Sequence, residues 1–262
     1  MQKLLFRIDG NDAVARDVYR LRLVPAAASS ATGIVAGECS PTKPRLALHS
    51  GQFVDIALDG FFLRRPISVC DCTGDSLTLL YKVVGEGTAK IALMQPGETL
   101  ELLTDLGNGF SPEKCREKAL LAGGGLGAAP LFLLCRELLS MGKQVTVALG
   151  FNTAEDIILE KEYSSLGVTP LIATMDGGRG VKGFVTDAIR EAAPEFDYFY
   201  TCGPLKMMQA VCAALPTPGE ASLEERMGCG AGFCYGCTCH TSDGPRRVCK
   251  DGPVFKKEDI VW

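Results

Sequence analysis

The chain has 262 residues, 47% hydrophobic and 22% charged, enough for two domains of ordinary size with proper cores and a small appendage. Its 27 Lys and Arg against 31 Asp and Glu give a net charge of -4, so no basic excess exists to neutralise phosphates and nucleic acid is excluded as a partner. The N-terminus meets Lys3 and Arg7 too early for the apolar core of a signal peptide, and the longest uncharged run, Ala119 to Cys135, is shorter than a membrane span and broken by glycines and Pro130. A cytoplasmic protein with no membrane partner is expected.

From Lys3 to Leu103, short alternating segments are separated by turn residues, as in Val18 to Leu23, Gln52 to Leu58, Leu77 to Val83 and Glu98 to Leu103. The pattern predicts an antiparallel β-barrel over residues 1–112. Between Ala26 and Ser50 the composition shifts to Ala, Ser, Thr, Gly and Pro, which builds no core and predicts a loop or ragged hairpin. Arg64-Arg65-Pro66-Ile67-Ser68 places a guanidinium three residues before a hydroxyl on an extended segment that Pro66 keeps from full ladder pairing. A guanidinium suits a pyrophosphate and a hydroxyl suits a flavin ring nitrogen, although a solvated edge arginine has the same pattern. Leu80-Tyr81-Lys82 precedes Gly85-Glu86-Gly87-Thr88, which opens a short helical pattern to Met94. Glycines and a hydroxyl at a helix start suit phosphate, and equally an ordinary turn and N-cap.

From Ala119 the rhythm changes to alternating strand and helix, which predicts a doubly wound parallel sheet over residues 113–218. Ala119 to Ala122 is a strand, Gly123-Gly124-Gly125-Leu126-Gly127 a glycine loop, Pro130 to Leu139 a helix with proline in its first turn, and Val145 to Leu149 the next strand. Gly123-x-Gly125-x-x-Ala128 has the form of a dinucleotide fingerprint in the place where one belongs. After the second strand, Asn152 to Asp156 offers no arginine for a 2′-phosphate and brings two acids, which favours NAD over NADP. Asp176 to Asp187 reads as a flexible loop leading into a helix, and Phe199 to Pro204 ends a strand at the carboxyl edge, where Cys202 either borders a nicotinamide or is a buried strand-end residue. Pro216 to Gly219 reads as a linker.

The last segment, 219–262, is organised by Cys229, Cys234 and Cys237, a Cys-x4-Cys-x2-Cys run with distant cysteines at 239 and 249. This is the spacing of plant-type [2Fe–2S] centres. Gly228, Gly230, Gly232 and Gly236 let a compact loop turn three sulfurs to one point. Cys249 is preferred to Cys239 as the fourth ligand, because Cys239 would crowd a site that Cys237 already serves. Zinc and disulfides are the competing readings, but only one Cys-x2-Cys knuckle is present and no sign of an oxidising compartment. The seven other cysteines, 39, 70, 72, 115, 135, 202 and 212, read as small core residues.

Taken in order, Arg65 to Ser68, Gly87-Thr88, Gly123 to Pro130 and Cys202-Gly203-Pro204 resemble the ferredoxin-NADP reductase superfamily. With Cys229-x4-Cys234-x2-Cys237-x11-Cys249 and Asp251 to Phe255, the chain is similar within it to the electron-transfer subunits of class 1B dihydroorotate dehydrogenases. The resemblance implies that Arg65, Pro66, Ile67 and Ser68 hold the pyrophosphate and ring of FAD, Leu80, Tyr81 and Lys82 its ribose and phosphates, and Gly87 and Thr88 its phosphate side. It implies that Gly123, Gly124, Gly125 and Gly127 receive NAD together with Cys202, Gly203 and Pro204, and that Cys229, Cys234, Cys237 and Cys249 carry the [2Fe–2S] cluster. It further implies a partner, an FMN-containing catalytic subunit that oxidises dihydroorotate to orotate in pyrimidine biosynthesis. Electrons would pass through the cluster and FAD to NAD+, in a heterotetramer of two copies of each subunit. Subunits of the hydrogenase gamma type, or of NADH-dependent ferredoxin:NADP reductases, share these motifs and are the alternative; a non-enzymatic redox sensor would lack reduction by NADH. No acid–base triad is expected, His49 and His240 are read as incidental, and an apolar patch at Phe233, Tyr235 and Val254 is expected to meet the partner.

Overall fold

The computed structural model describes residues 1–26, 46 and 48–262. Most of the loop expected between Ala26 and Ser50, and Cys39 with it, lies outside the described residues. Strands β1 (Gln2–Ala15), β2 (Val18–Pro25), β3 (Phe53–Ile56), β4 (Arg65–Thr73), β5 (Ser76–Lys82) and β6 (Thr99–Leu106) close an antiparallel barrel in the order β1-β2-β5-β4-β3-β6. The two-residue period of the sequence becomes the two faces of each strand. In β6, Leu100, Leu102, Thr104 and Leu106 are buried and the residues between them are not. Phe6, Ile8, Leu21, Val54, Leu77 and Leu79 fill the interior, and helix α1 (Glu86–Leu93) adds Ile91 to them. Asn11 caps that helix from β1, donating to the carbonyls of Ile91 at 2.8 Å and Met94 at 3.1 Å.

The second unit runs β7 (Lys118–Gly124), α2 (Ala128–Ser140), β8 (Gln144–Phe151), α3 (Glu160–Ser165), β9 (Leu171–Thr174), β10 (Val181–Lys182), α4 (Val185–Ala192), β11 (Tyr198–Cys202), α5 (Leu205–Ala214) and β12 (Gly219–Ser222). Alternate residues of its strands face opposite layers. Leu131, Leu134 and Tyr163 from α2 and α3 pack with Leu121, Val147 and Leu149, while Val185, Ile189 and Val211 from α4 and α5 pack with Leu120, Ala122 and Ala148. This is the doubly wound arrangement expected from the alternation. The hairpin β13 (Thr238–Thr241) and β14 (Gly244–Arg247), the short α6 (Val248–Asp251) and β15 (Val254–Lys256) complete the chain.

The sheet order is β10-β9-β8-β7-β11-β12-β15, with β12 parallel to β11 and β15 antiparallel to β12. Residues 216–218 therefore lead into a further strand of the same sheet, and the cluster segment leaves this sheet after β12 and returns to it through β15. Cys70, Cys115 and Cys135 are buried core residues, whereas Cys72, Cys202 and Cys212 are half-buried. Among the described residues, no helix is long and apolar enough to cross a membrane.

Helix α2 packs across β4 and so joins the two units. Glu137 reaches from it to Ser50, which is fully buried, accepting the Ser50 backbone N–H at 3.1 Å and its hydroxyl at 2.5 Å. Arg136 pairs with Asp71, and Arg20 of the barrel pairs with Glu162 of α3. Glu137→Ala leaves two buried donors without an acceptor, which costs about 2 kcal/mol. The expected outcome is a Tm lower by about 4–8 °C in calorimetry, partly restored in Glu137→Gln; an unchanged Tm would show that the contact contributes nothing.

Candidate functional site

The expected flavin residues are brought together in part. On β4, Ser68 and Pro66 stand opposite Phe53 and Asp55 of β3, while Ile67 packs against the barrel core. The Arg65 guanidinium donates to the carbonyls of Leu63 at 2.6 Å and Arg64 at 3.3 Å and lies 4.8 Å from the Phe61 ring centroid. Arg64, by contrast, is paired with Glu101 at 2.6 Å. Arg65 crosses onto the first turn of α1, where a Cβ on Gly87 would run into its guanidinium. That approach explains the glycine, and it places a cation beside the free N–H groups of a helix start, a donor set suited to a pyrophosphate. The Thr88 hydroxyl is occupied in the turn: it accepts the Val84 N–H at 2.9 Å and the Gly85 N–H at 3.2 Å and donates to the Gly85 carbonyl.

Leu80 and Tyr81 do not present side chains to a ligand. Both are buried, and the Tyr81 hydroxyl donates to Asn11 at 3.0 Å while its ring stacks on Tyr19 at 5.7 Å. Of the three residues 80–82, only Lys82 is exposed.

The two loops expected to receive the nicotinamide cofactor lie back to back. In β7 and β11, Gly123 and Cys202 are direct neighbours. A Cβ on Gly127 would run into the Cys202 carbonyl, and one on Gly124 into Met207 and Pro204. The glycines thus let the start of α2 nest against the turn at Cys202-Gly203-Pro204, at the carboxyl edge where such sheets bind ligands. Burial pushes the Cys202 thiol up to about 12, so it stays neutral there. Past β8, Asp156 accepts the Thr153 N–H at 3.1 Å and its hydroxyl at 2.9 Å, and Glu155 pairs with Arg16 of the barrel at 2.9 Å.

The cysteines form two adjacent pairs, Cys229 with Cys234 and Cys237 with Cys249. Cys229 Sγ accepts the N–H of Phe233 at 3.2 Å and of Cys234 at 3.4 Å; Cys234 Sγ accepts that of Gly236, and Cys237 Sγ that of Cys249, each at 3.4 Å. Burial pushes the Cys229 thiol up, but the N–H groups of Ala231, Cys234 and Phe233 outweigh it and bring the thiol down to about 6. Cys249 is pushed up to about 12 by burial and by Cys237 beside it. Each pair can supply two thiolates, four in all, the number that a [2Fe–2S] centre takes. Cys239 lies in the same apolar cluster as Cys237 and Cys249, beside Phe53 and Leu106, and burial raises its thiol, but it is Cys249 that pairs with Cys237. Phe233 and Tyr235 are 80% and 65% exposed, but Val254 is buried, because β15 carries it into the sheet. The expected patch is therefore narrower, without Val254.

A family model described as the iron–sulfur cluster binding domain of dihydroorotate dehydrogenase B matches residues 224–261, and one for the oxidoreductase NAD-binding domain matches 121–213. The chain is 43% identical over 222 residues to the dihydroorotate dehydrogenase B (NAD(+)) electron transfer subunit of Geobacillus sp. (strain WCH70), covering 80% of this chain and 86% of the relative. It is 41% identical over 237 residues to that of Listeria monocytogenes serotype 4a (strain HCC23), covering 87% and 91%. A solved structure described as "Insights into flavin-based electron bifurcation via the NADH-dependent reduced ferredoxin-NADP oxidoreductase structure" superposes with a TM-score of 0.83 at 28% identity, over 98% of this chain and 90% of that one.

Sequence reasoning passed over Asp55, whose signal is a single acid inside the otherwise apolar strand Phe53–Ile56. It is 2% exposed, and its Oδ1 has no hydrogen-bond partner among the described residues. A Cβ on Gly230 would stand 2.5 Å from its Oδ2, so the carboxyl lies directly under the cysteine loop. Burial pushes it from 3.8 to about 6, although Arg64 and Arg65 pull it down. Below pH 3.8 the group is neutral whether the chain is folded or not, and above pH 6 the fold bears the burial of a charge, about 3 kcal/mol. Asp55→Asn should therefore stabilise the protein at pH 8, and the gain should fade as the pH falls from 6 towards 4. Denaturant unfolding at several pH values checks this; a gain independent of pH would contradict it.

Proposed function

Since this chain belongs to the family of dihydroorotate dehydrogenase B (NAD(+)) electron-transfer subunits, we propose that it relays electrons from an FMN-containing catalytic partner to NAD+, so that together they convert dihydroorotate and NAD+ to orotate, NADH and H+. The observation that carries this reading is the double pair of cysteines seated, with N–H groups aimed at its sulfurs, on the barrel wall that also bears Arg65 to Ser68. Cys229 with Cys234 and Cys237 with Cys249 would each hold one iron of a [2Fe–2S] cluster. Arg65 and the first turn of α1 would hold the FAD pyrophosphate, with Ser68 facing the ring, and Gly123 to Gly127 with Cys202 to Pro204 would seat the nicotinamide cofactor. When bound, FAD supplies the conversion between single electrons and the hydride that NAD+ accepts.

The chain's own tasks are to hold these groups and keep water from them. The neutral Cys202 thiol offers a weak donor and no charge at the nicotinamide edge. Glu155 and Asp156 beside the second strand disfavour a 2′-phosphate, so NAD is preferred to NADP. The working division is 1–112 for FAD, 113–218 for NAD and 219–262 for the cluster, the last threaded into the second by β12 and β15. Phe233 and Tyr235 would dock the catalytic subunit in a cytoplasmic heterotetramer of two copies of each.

The deciding experiment is dihydroorotate-dependent reduction of NAD+ by the native complex. Activity that tracks a co-purifying FMN subunit supports the reading, whereas NADH reduction of the flavin with no response to dihydroorotate points to another oxidoreductase partner. Cys249→Ser should lose most of the iron and labile sulfide, while Cys239→Ser keeps them; full iron in the first variant would move the fourth ligand elsewhere. Phe233→Glu should weaken partner binding at least tenfold, read by titration calorimetry, and leave NADH-to-dye activity intact.

A further inference from the structure

Arg247 closes β14 two residues before Cys249, and its side chain is spent on three residues at once. Its Nη1 donates to the Gly232 carbonyl at 2.8 Å, inside the loop that bears Cys229 and Cys234. Its Nε and Nη2 donate to the two carboxylate oxygens of Asp251 at 3.0 and 3.1 Å, and its backbone N–H to the same carboxylate at 2.9 Å. Its guanidinium lies 4.9 Å from the ring centroid of Tyr235, which sits in the left-handed region at φ 58°. Such a conformation is strained for a tyrosine and persists only where neighbours fix it. On its own strand, Arg247 is paired with Thr238, the residue after Cys237.

These contacts use the planar fork and the face of the guanidinium together, which an ammonium cannot reproduce. They join the loop of one cysteine pair to the helical turn that delivers Cys249 to the other. They also hold the ion pair in one arrangement: Nη1 of the guanidinium reaches the loop, while Nε and Nη2 hold the Asp251 carboxylate. Four thiolates on a cluster make a net negative centre, so a fixed cation on that side favours the reduced form.

Resting on the reading of the four cysteines as cluster ligands, we propose that Arg247 is a positioning residue of the cluster centre, which locks the two cysteine pairs in register and raises the reduction potential through its fixed charge, with Asp251 as counterweight. In the holo complex the two members of the pair then act with opposite sign, a result that packing alone does not give.

The test is an EPR-monitored redox titration of the native complex and of Arg247→Gln, Arg247→Lys and Asp251→Asn. In Arg247→Gln, the ratio of reduced to oxidised cluster at a fixed potential should fall about tenfold, equivalent to about 59 mV for a one-electron couple. Asp251→Asn should move the ratio upward, and Arg247→Lys should stay near the parent ratio while losing iron to a chelator faster. In the metal-free chain, hydrogen exchange over residues 229–235 should quicken in both Arg247 variants. An unchanged ratio in Arg247→Gln overturns the proposal. If that variant holds no cluster, an unchanged or lowered ratio in Asp251→Asn overturns it instead. Absence of a [2Fe–2S] signal from the parent complex would remove the ligand reading itself, a separate result.

Discussion

Gly123, Cys202, Ser222 and Val254 form one row across the carboxyl edge of the sheet, each paired to the next through β7, β11, β12 and β15. The row ends on the barrel. Val254 donates its N–H to Asn108 Oδ1 at 3.1 Å and accepts from Asn108 Nδ2 at 2.9 Å, and the Asn108 N–H donates to the Gly252 carbonyl at 2.8 Å. A side-chain amide used at both ends resists sliding in either direction. Asn108 follows β6, which pairs with β3, which in turn pairs with β4, the strand of Arg65 to Ser68. The glycine loop, the anchor of the cysteine segment and strand β4 are thus fixed to one another by backbone pairing and one asparagine, with Glu137 and Arg136 bracing the same two units from α2.

Much of this was legible in the chain. The barrel and the doubly wound sheet follow from the change of hydrophobic period near residue 119, and the cysteine loop from spacing that no ordinary turn requires. What escaped did so for physical reasons. Strands β12 and β15 are four and three residues long, and Gly-Glu-Ala-Ser carries no strand propensity; only neighbours on a sheet edge make it a strand. For the same reason Val254 looked like surface and is core. Leu80 and Tyr81 lie on a strand with both faces covered, one by the barrel interior and one by the second unit, so a motif position there gave no information on which way a side chain turns. Asp55 and Arg247 act through residues far away in sequence, Gly230 and Gly232, and no local pattern encodes such partners. The spacing alone also left Cys239 and Cys249 open. Contact with Cys237 separates them, since the Cys249 N–H donates to Cys237 Sγ and the two thiols are neighbours.

The two cysteine pairs differ in surroundings, and the difference gives the site a direction. Cys234 is exposed and Cys229 half-buried, with amide N–H groups bringing the Cys229 thiol down to about 6; they lie beside Phe233 and Tyr235 on the outer surface. Cys237 and Cys249 are 2% and 3% exposed and share an apolar cluster with Phe53 and Leu106 of the barrel. Phe53 stands opposite Ser68 in the strand pairing, so the inner pair packs against a cross-strand neighbour of the expected flavin residues. The Cys249 thiol, held near 12, must release a proton before it binds a metal, so assembly there opposes burial, while the Cys229 thiol, brought down to about 6, is already poised as thiolate at neutral pH. One edge of the cysteine set is thereby open to a docking surface and the other is closed against the barrel, as an electron relay between a partner and a buried cofactor requires.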